Sequence, residues 1–286
     1  MKKDFSIRDY NLSQIAIHRS TFRIGEPYAM REFVGLASTL KHYRVECSCK
    51  VEGGRLYPAR FNVWFKQKAC QQAIKAVLNF FHNVEAYHGI ELNYELWRQF
   101  YTEDFDFSRV QRFIAGVDLR DTLAESRLKM WFIIDDYEQK REAAIRLHGD
   151  SEELRLLMIH DELLVGFDFY LDGQQTIKIY PDVGRDELTN TDIKQRFARV
   201  LSQPALELMK LCHRAHVSFG SEKQDRIIHY HPIESMSFVN TIVRNDLAQE
   251  VDLFYRSRPV LDQVVSLRER EIIEGVIESV NLYYKM

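Results

Sequence analysis

The chain has 286 residues, 39 Lys+Arg against 42 Asp+Glu, and 45% hydrophobic residues, a globular composition with enough apolar material for a sizeable core, which excludes disorder. A net charge of −3 gives no general electrostatic reason to bind nucleic acid or an anionic membrane surface. No run approaches the ~18 apolar residues of a spanning helix, and MKKDFSIRDYNL lacks the apolar core of a signal peptide, so a cytoplasmic protein is expected.

In chain order, residues 1–27 read as a less regular N-terminal segment. Residues 28–41 read as a helix. RVECSCKVEGGRLYPARFNVWF (44–65) alternates polar and apolar around Gly53-Gly54, a hairpin signal. In the following helix Ile74, Val77, Leu78 and Phe81 form one apolar stripe. The same helix, strand, strand, helix order returns with a helix at 93–101, strands at 110–119 and 126–134, and a helix at 136–147. A third round has a helix at 151–161, a hairpin over 165–180 turning at Asp172-Gly173, and a helix near 187–202. A fourth has a helix near 204–211, strands near 213–219 and 226–231, and one helix from about 236 to 256. A strand at 259–266, a helix to about 276 and a strand at 277–284 complete ten.

Ten antiparallel strands flanked by helices gain by closing, because closure leaves no edge unpaired. The expectation is therefore one α+β domain over 1–286, a ten-stranded antiparallel β-barrel surrounded by α-helices in repeated αββα units. Strand parity supports it. Phe61, Val63 and Phe65 oppose Arg60, Asn62 and Trp64; Leu128, Met130, Phe132 and Ile134 oppose Arg127, Lys129 and Trp131; Ile177 and Ile179 oppose Thr176, Lys178 and Tyr180. The polar and aromatic face is expected to line a partly wet lumen, formed by Glu46, Ser48, Arg60, Trp64, Asp118, Lys129, Trp131, Asp168, Tyr170, Lys178, Tyr180, Arg214, His216, Tyr230 and Tyr283.

Several cations converging on one lumen suit a polyanion such as diphosphate. The chain has no GxxxxGK[ST], GxGxxG or HExxH, and no paired DDxxD segments, so phosphate-loop, dinucleotide, zincin and terpene-synthase chemistry lack support. Aromatic faces beside a diphosphate can stabilise an allylic carbocation, and an inward carboxylate such as Glu46 can take the acceptor's proton. Cys47, Cys49, Cys70 and Cys212 lack ligand spacing and read as reduced, packed thiols. Taken singly, each cation is more often solvated, each aromatic more often core, and a lone Glu more often exposed; on residues alone the reading stops at an anion-binding barrel.

Three segments, ECSCKVEGGRLYPARFNVWF (46–65), DFDFSRVQRFIAGVDLRDTLAESRLKMWFII (104–134) and VGFDFYLDGQQTIKIY (165–180), closely resemble the cyanobactin peptide prenyltransferases, and IIHYH (227–231) and IESVNLYY (277–284) are similar to corresponding stretches. The resemblance implies an ABBA-type prenyltransferase barrel that, with Mg2+, moves an isoprenyl group from dimethylallyl or geranyl diphosphate to a cyclic or linear ribosomal peptide. By position it implies Glu46 as base, Arg60 and Lys129 on the diphosphate, and Tyr180, Tyr230 and Tyr283 around the prenyl site. Lys178 and Tyr180 are taken with the diphosphate set, Lys178 on parity alone because relatives are expected to carry an acidic residue there. Trp64, Trp131 and Tyr170 are taken as shields of the cation. His216 lies near the position that sets prenyl length and its bulk favours C5. The acceptor is expected to be a Tyr oxygen, with Arg guanidine as runner-up because Glu46, Asp118 and Asp168 would face it. The alternatives are geranyl transfer, a small-molecule aromatic prenyltransferase, and a non-catalytic ligand-binding barrel.

Overall fold

The computed structural model describes residues 6–219 and 226–286. Its first element departs from expectation. Residues 1–5 of the segment expected to be less regular lie outside the described residues, but Ile7–Thr21 forms a helix, α1, capped by the Ser6 side chain, which accepts a hydrogen bond from the Asp9 backbone. Periodicity missed it because its inward stripe is mostly polar: Asn11, Gln14 and His18 are buried beside Ile15. Those polar groups are satisfied by the barrel: Asn11 Nδ2 donates to the Tyr43 carbonyl at 2.8 Å, and His18 Nε2 to the Pro58 carbonyl at 2.8 Å.

Next come α2 (Tyr28–Thr39), β1 (Arg44–Glu52), β2 (Arg55–Lys66) and α3 (Gln67–Glu85). They are followed by α4 (Glu95–Phe100), β3 (Val110–Asp118), β4 (Arg127–Ile134), α5 (Glu138–His148) and α6 (Glu152–Leu157). The chain continues through β5 (Leu163–Tyr170), β6 (Gln175–Tyr180), β7 (Asp182–Gly184), α7 (Thr191–Ala198) and α8 (Gln203–Met209). It ends with β8 (Cys212–Phe219), β9 (Arg226–Pro232), α9 (Ser235–Phe238), α10 (Asp246–Arg256), β10 (Asp262–Arg268), α11 (Glu269–Glu274) and β11 (Val280–Lys285). The helix expected over 236–256 is broken. After α9 a π-turn runs over Val239–Val243, Arg244 takes a left-handed φ of 50°, and Asn245 caps α10 by accepting from the Ala248 backbone.

The strands form one antiparallel sheet in the order β6-β5-β4-β3-β2-β1-β11-β10-β9-β8-β7. It has eleven strands, one more than expected, because Pro181 interrupts the run from 175 to 184 and has no N–H to give a ladder. β6 pairs with β5 and β7 with β8, so the two sheet ends lie on one stretch of chain and the barrel is nearly closed. The Val217 backbone donates to the Pro181 carbonyl at 2.9 Å across this seam.

The apolar core lies outside the barrel, under the helices. Val45, Cys47, Cys49 and Val51 of β1 and Phe61, Val63 and Phe65 of β2 are buried there, against Phe33 of α2 and Ile74, Val77 and Phe81 of α3. Phe113, Phe132 and Phe167 continue the layer against Trp97 and Phe100 of α4. The four cysteines are buried and unpaired, and burial pushes the Cys47 thiol up to about 12. With the greasy face spent on helix packing, the opposite face is left for the lumen.

Candidate functional site

Register divides the lumen into storeys. The lower storey is ionic. Arg60 pairs across the ladder with Asp118, and Lys129 with Asp168. Asp118 is fully buried and takes four cations: Arg60 Nε at 3.3 Å, Arg120 Nε at 3.0 Å, Arg127 Nη2 at 2.9 Å and Lys129 Nζ at 3.4 Å. Asp168, 2% exposed, takes Lys178 Nζ at 2.6 Å and Arg127 Nη1 at 3.2 Å. Five cations therefore share two carboxylates. Burial would raise the Asp118 carboxyl, but Arg60, Lys129, Arg127 and Arg120 overcome it and hold the group well below its usual range. Lys129 shows the opposite strain: burial first, and then the Arg127 charge, push its ammonium well below the usual value. Lys178 is lowered by burial as well. A cluster whose cationic side chains outnumber its carboxylates is stabilised by an incoming anion, which favours the charged form of both lysines.

The upper storey is an open-ended cavity of about 300 Å³ lined by Glu46, Trp64, Trp131, Tyr180, Tyr283 and His216, among others. Tyr283 connects the storeys, since its hydroxyl accepts from Arg60 Nη2 at 3.2 Å and the guanidinium lies 5.3 Å from its ring centre. Trp131 Nε1 donates to the Tyr180 hydroxyl at 3.3 Å, and Lys129 Nζ lies 5.4 Å from the Trp131 ring centre. Two glycines make room for these groups. A Cβ on Gly166 would meet Trp131 Cδ1 at 2.5 Å and Tyr180 Cε2 at 3.2 Å; one on Gly116 would meet Asn62 Oδ1 at 2.0 Å.

Glu46 sits at the wall of this cavity, 5% exposed, and accepts from Asn62 Nδ2 at 2.6 Å. Burial raises its carboxyl, against the opposing pull of that hydrogen bond and of Lys285. It is thus a carboxylate of raised basicity facing an aromatic cavity, the environment a general base requires.

Most of the residues read from the sequence converge here, and three points need correction. Tyr230 does not line the lumen. Its hydroxyl donates to the Ala205 carbonyl of α8 and its ring packs on Phe238, because Ile228 and Tyr230 share the apolar outer face while His229 and His231 point inward. Tyr170 is on the lumen side but level with Arg127, whose Nη1 its hydroxyl accepts at 2.7 Å, so the ionic storey separates it from the cavity. Asp118 and Asp168 are engaged by the internal cations and do not line the cavity. Arg214, at the rim, is held by Asp182 and Glu162.

Sequence reasoning missed His229 and Lys285, and it placed Asn62 on the inward face without giving it a role. His229 bridges Ser266 Oγ at 2.7 Å and Ser218 Oγ at 3.0 Å, and packs 5.3 Å from the Tyr180 ring. Burial, then the His231, Lys178 and Lys129 charges, lower it to about 3. Lys285 Nζ lies 3.8 Å over the Trp64 ring. Parity on β9 and β11 would have found His229 and Lys285, whose partners at 231 and 283 share their face.

No helix among the described residues is long and apolar enough to cross a membrane. No curated protein matches the chain. A family model described as "Family of unknown function (DUF5838)" matches residues 9–286. An aromatic cavity with the buried Glu46 in its wall, linked through Tyr283 and Trp131 to a cluster of cations, is thus carried by a chain that belongs to the DUF5838 family of unknown function.

Proposed function

We propose that this barrel is a peptide prenyltransferase of the ABBA type, which binds dimethylallyl diphosphate in its lumen and transfers the C5 group to a side chain of a ribosomally made cyclic peptide. The observation that carries the reading is an aromatic cavity whose Tyr283 and Trp131 contact Arg60 and Lys129 of a cluster in which five cations share two carboxylates. In this reading β6 and β7 are counted as one strand broken at Pro181, so that the eleven strands correspond to the ten of an ABBA barrel.

In this reading Arg60, Lys129 and Lys178 hold the diphosphate and stabilise it as the allylic C–O bond breaks. The prenyl carbocation is left above, facing Trp131, Tyr180, Tyr283 and Trp64, whose rings stabilise it and exclude water. An acceptor oxygen entering by the open end forms the new bond to the prenyl carbon, and its proton passes to Glu46. A cavity of about 300 Å³, narrowed by His216, favours C5 over geranyl. Tyr oxygen is the first acceptor. Arg guanidine loses the argument that favoured it, since Asp118 and Asp168 are engaged within the protein.

The Mg2+ that the resemblance implies has no seat among the side chains of the ionic storey, where both carboxylates already carry cations. Mg2+ would therefore enter as a counterion of the diphosphate.

The reading is tested by mass spectrometry of a panel of cyclic and linear peptides, with free tyrosine and free indole, incubated with dimethylallyl or geranyl diphosphate. The expected result is a gain of one C5H8 unit on a peptide Tyr. Modification of the free aromatic compounds alone would make the enzyme a small-molecule prenyltransferase. No transfer and no diphosphate release with any acceptor would leave a non-catalytic barrel.

A further inference from the structure

The rim on the β8–β10 side carries a cluster that prenyl transfer does not use. β8 is irregular between Cys212, which pairs with Pro232, and Arg214, which pairs with His231. A bulge sets an extra residue against one partner and re-aims a side chain; here the extra residue is His213. Its ring centre lies 5.6 Å from that of His231, and His231 Nδ1 lies 3.2 Å from Asp262 Oδ1 on β10. One ligating atom from each of His213, His231 and Asp262 can be chosen so that all three lie within 4.8 Å of one another.

We propose that His213, His231 and Asp262 form a binding site for a borderline divalent transition metal such as Zn2+ or Co2+. Bonds of about 2.0–2.2 Å in tetrahedral geometry put neighbouring ligand atoms about 3.3 Å apart. The His231–Asp262 pair already has that spacing at 3.2 Å. Only His213 must close in, and as an exposed side chain it has room to rotate. Two imidazoles with one carboxylate suit Zn2+ and its neighbours and disfavour Mg2+ and Ca2+, which prefer oxygen.

The surroundings tolerate the charge. Arg214 is neutralised by Asp182 and Glu162 and Arg256 by Asp252, so the cations a bound metal meets include Lys285, the register partner of Asp262, and Arg258, which lines the outer cavity with His213 and Asp262. Asp262 lines both the lumen cavity and an outer cavity of about 340 Å³ that His213 also lines, so the site is reachable from solvent. Three protein ligands leave coordination positions for water or for a donor atom of an entering acceptor. The site stands apart from the ionic storey and does not depend on the prenyl-transfer reading.

The test is a titration of untagged, chelator-treated protein with Co2+, followed by its d–d absorption, and with Zn2+ by calorimetry, with Mg2+ as the comparison ion. One Co2+ or Zn2+ per chain is expected, with no competition from Mg2+. His213→Ala and Asp262→Asn, both at the rim, should each weaken Co2+ binding by about 10- to 100-fold, at least the scale seen when supporting partners of a metal ligand are removed. His88→Ala, an exposed histidine elsewhere, should leave it unchanged. Absence of a Co2+ spectrum in the wild type, or equal affinity in the wild type and both rim variants, would overturn the assignment.

Discussion

Lys129→Met removes one charge from the ionic storey and keeps a side chain of similar length. Lys129 is 6% exposed, and its Nζ lies 3.4 Å from Asp118 Oδ2. Asp118 keeps Arg60, Arg120 and Arg127 within 3.3 Å, so the barrel should fold. A unit charge about 4 Å from another is worth about 4 kcal/mol at an effective dielectric of 20. Part of that is offset by the cost of charging a buried amine, and a net charge-assisted hydrogen bond contributes about 1.5–3 kcal/mol. The affinity for inorganic diphosphate or a prenyl thiolodiphosphate should therefore fall by about 10- to 150-fold, by the conversion of about 1.4 kcal/mol per tenfold.

Calorimetry in buffers of different ionisation enthalpy adds a second readout. In the free protein the Lys129 pKa is depressed, and an adjacent diphosphate raises it. Proton uptake on binding should appear as pH rises through the free-state value and vanish above the bound-state value. Lys129→Met should reduce it. An unchanged Kd, or identical proton uptake in the variant, would refute the placing of diphosphate on this storey.

Glu46→Gln should leave donor affinity within about twofold while turnover drops by about 10²- to 10⁴-fold, the usual contribution of a general base; full activity would sink the assignment. In the wild type the base must be ionised, so kcat should fall as pH drops through a carboxyl value raised above the ordinary one. Asp118→Asn leaves four cations, Arg60 and Lys129 among them buried, without that carboxylate and should cost about 3–5 kcal/mol of stability. Added diphosphate should raise the Tm of this variant more than that of the wild type. The native Asp118 pKa is depressed, so its contribution is complete above the unfolded-state value and is lost as pH falls through the folded-state value. Gly166→Ala forces Trp131 and Tyr180 to shift and should cost about 1–3 kcal/mol, with weaker binding of the prenyl chain, measurable by thermal melting and donor KM. His216→Gly should increase geranyl use relative to dimethylallyl; geranyl transfer at least as fast as dimethylallyl transfer by the wild type would contradict the role given to His216.

Period-two alternation made the strands legible. Leu128, Met130, Phe132 and Ile134 are all fully buried outside the barrel, and Lys129 and Trp131 face the lumen opposite them. The hairpin turns were legible because Gly53 and Gly54 adopt φ values of 56° and 73° and Gly173 one of 89°, conformations that suit glycine. Helix α1 was not, since a hydrophobic period cannot announce a stripe of Asn11, Gln14 and His18. β7 is three residues long after a proline, too short to alternate visibly. At the site, parity identified which groups face inward but not how they pair. That Asp118 and Asp168 would be consumed by Arg127, read on the polar face but given no role, and by Arg120, which parity did not single out, depends on a three-dimensional cluster spanning β2 to β6. The rim cluster was hidden for a similar reason, because a bulge at His213 breaks the parity on which the reading relied.

Whether the two storeys together hold a prenyl diphosphate is decided by a crystal structure of the wild-type protein with dimethylallyl thiolodiphosphate. Diphosphate oxygens are expected within hydrogen-bond distance of Arg60 and Lys129, with the prenyl tail above against Trp131, Tyr180 and Tyr283. An analogue bound outside the barrel, or lying with its tail among the cations, would contradict that placing.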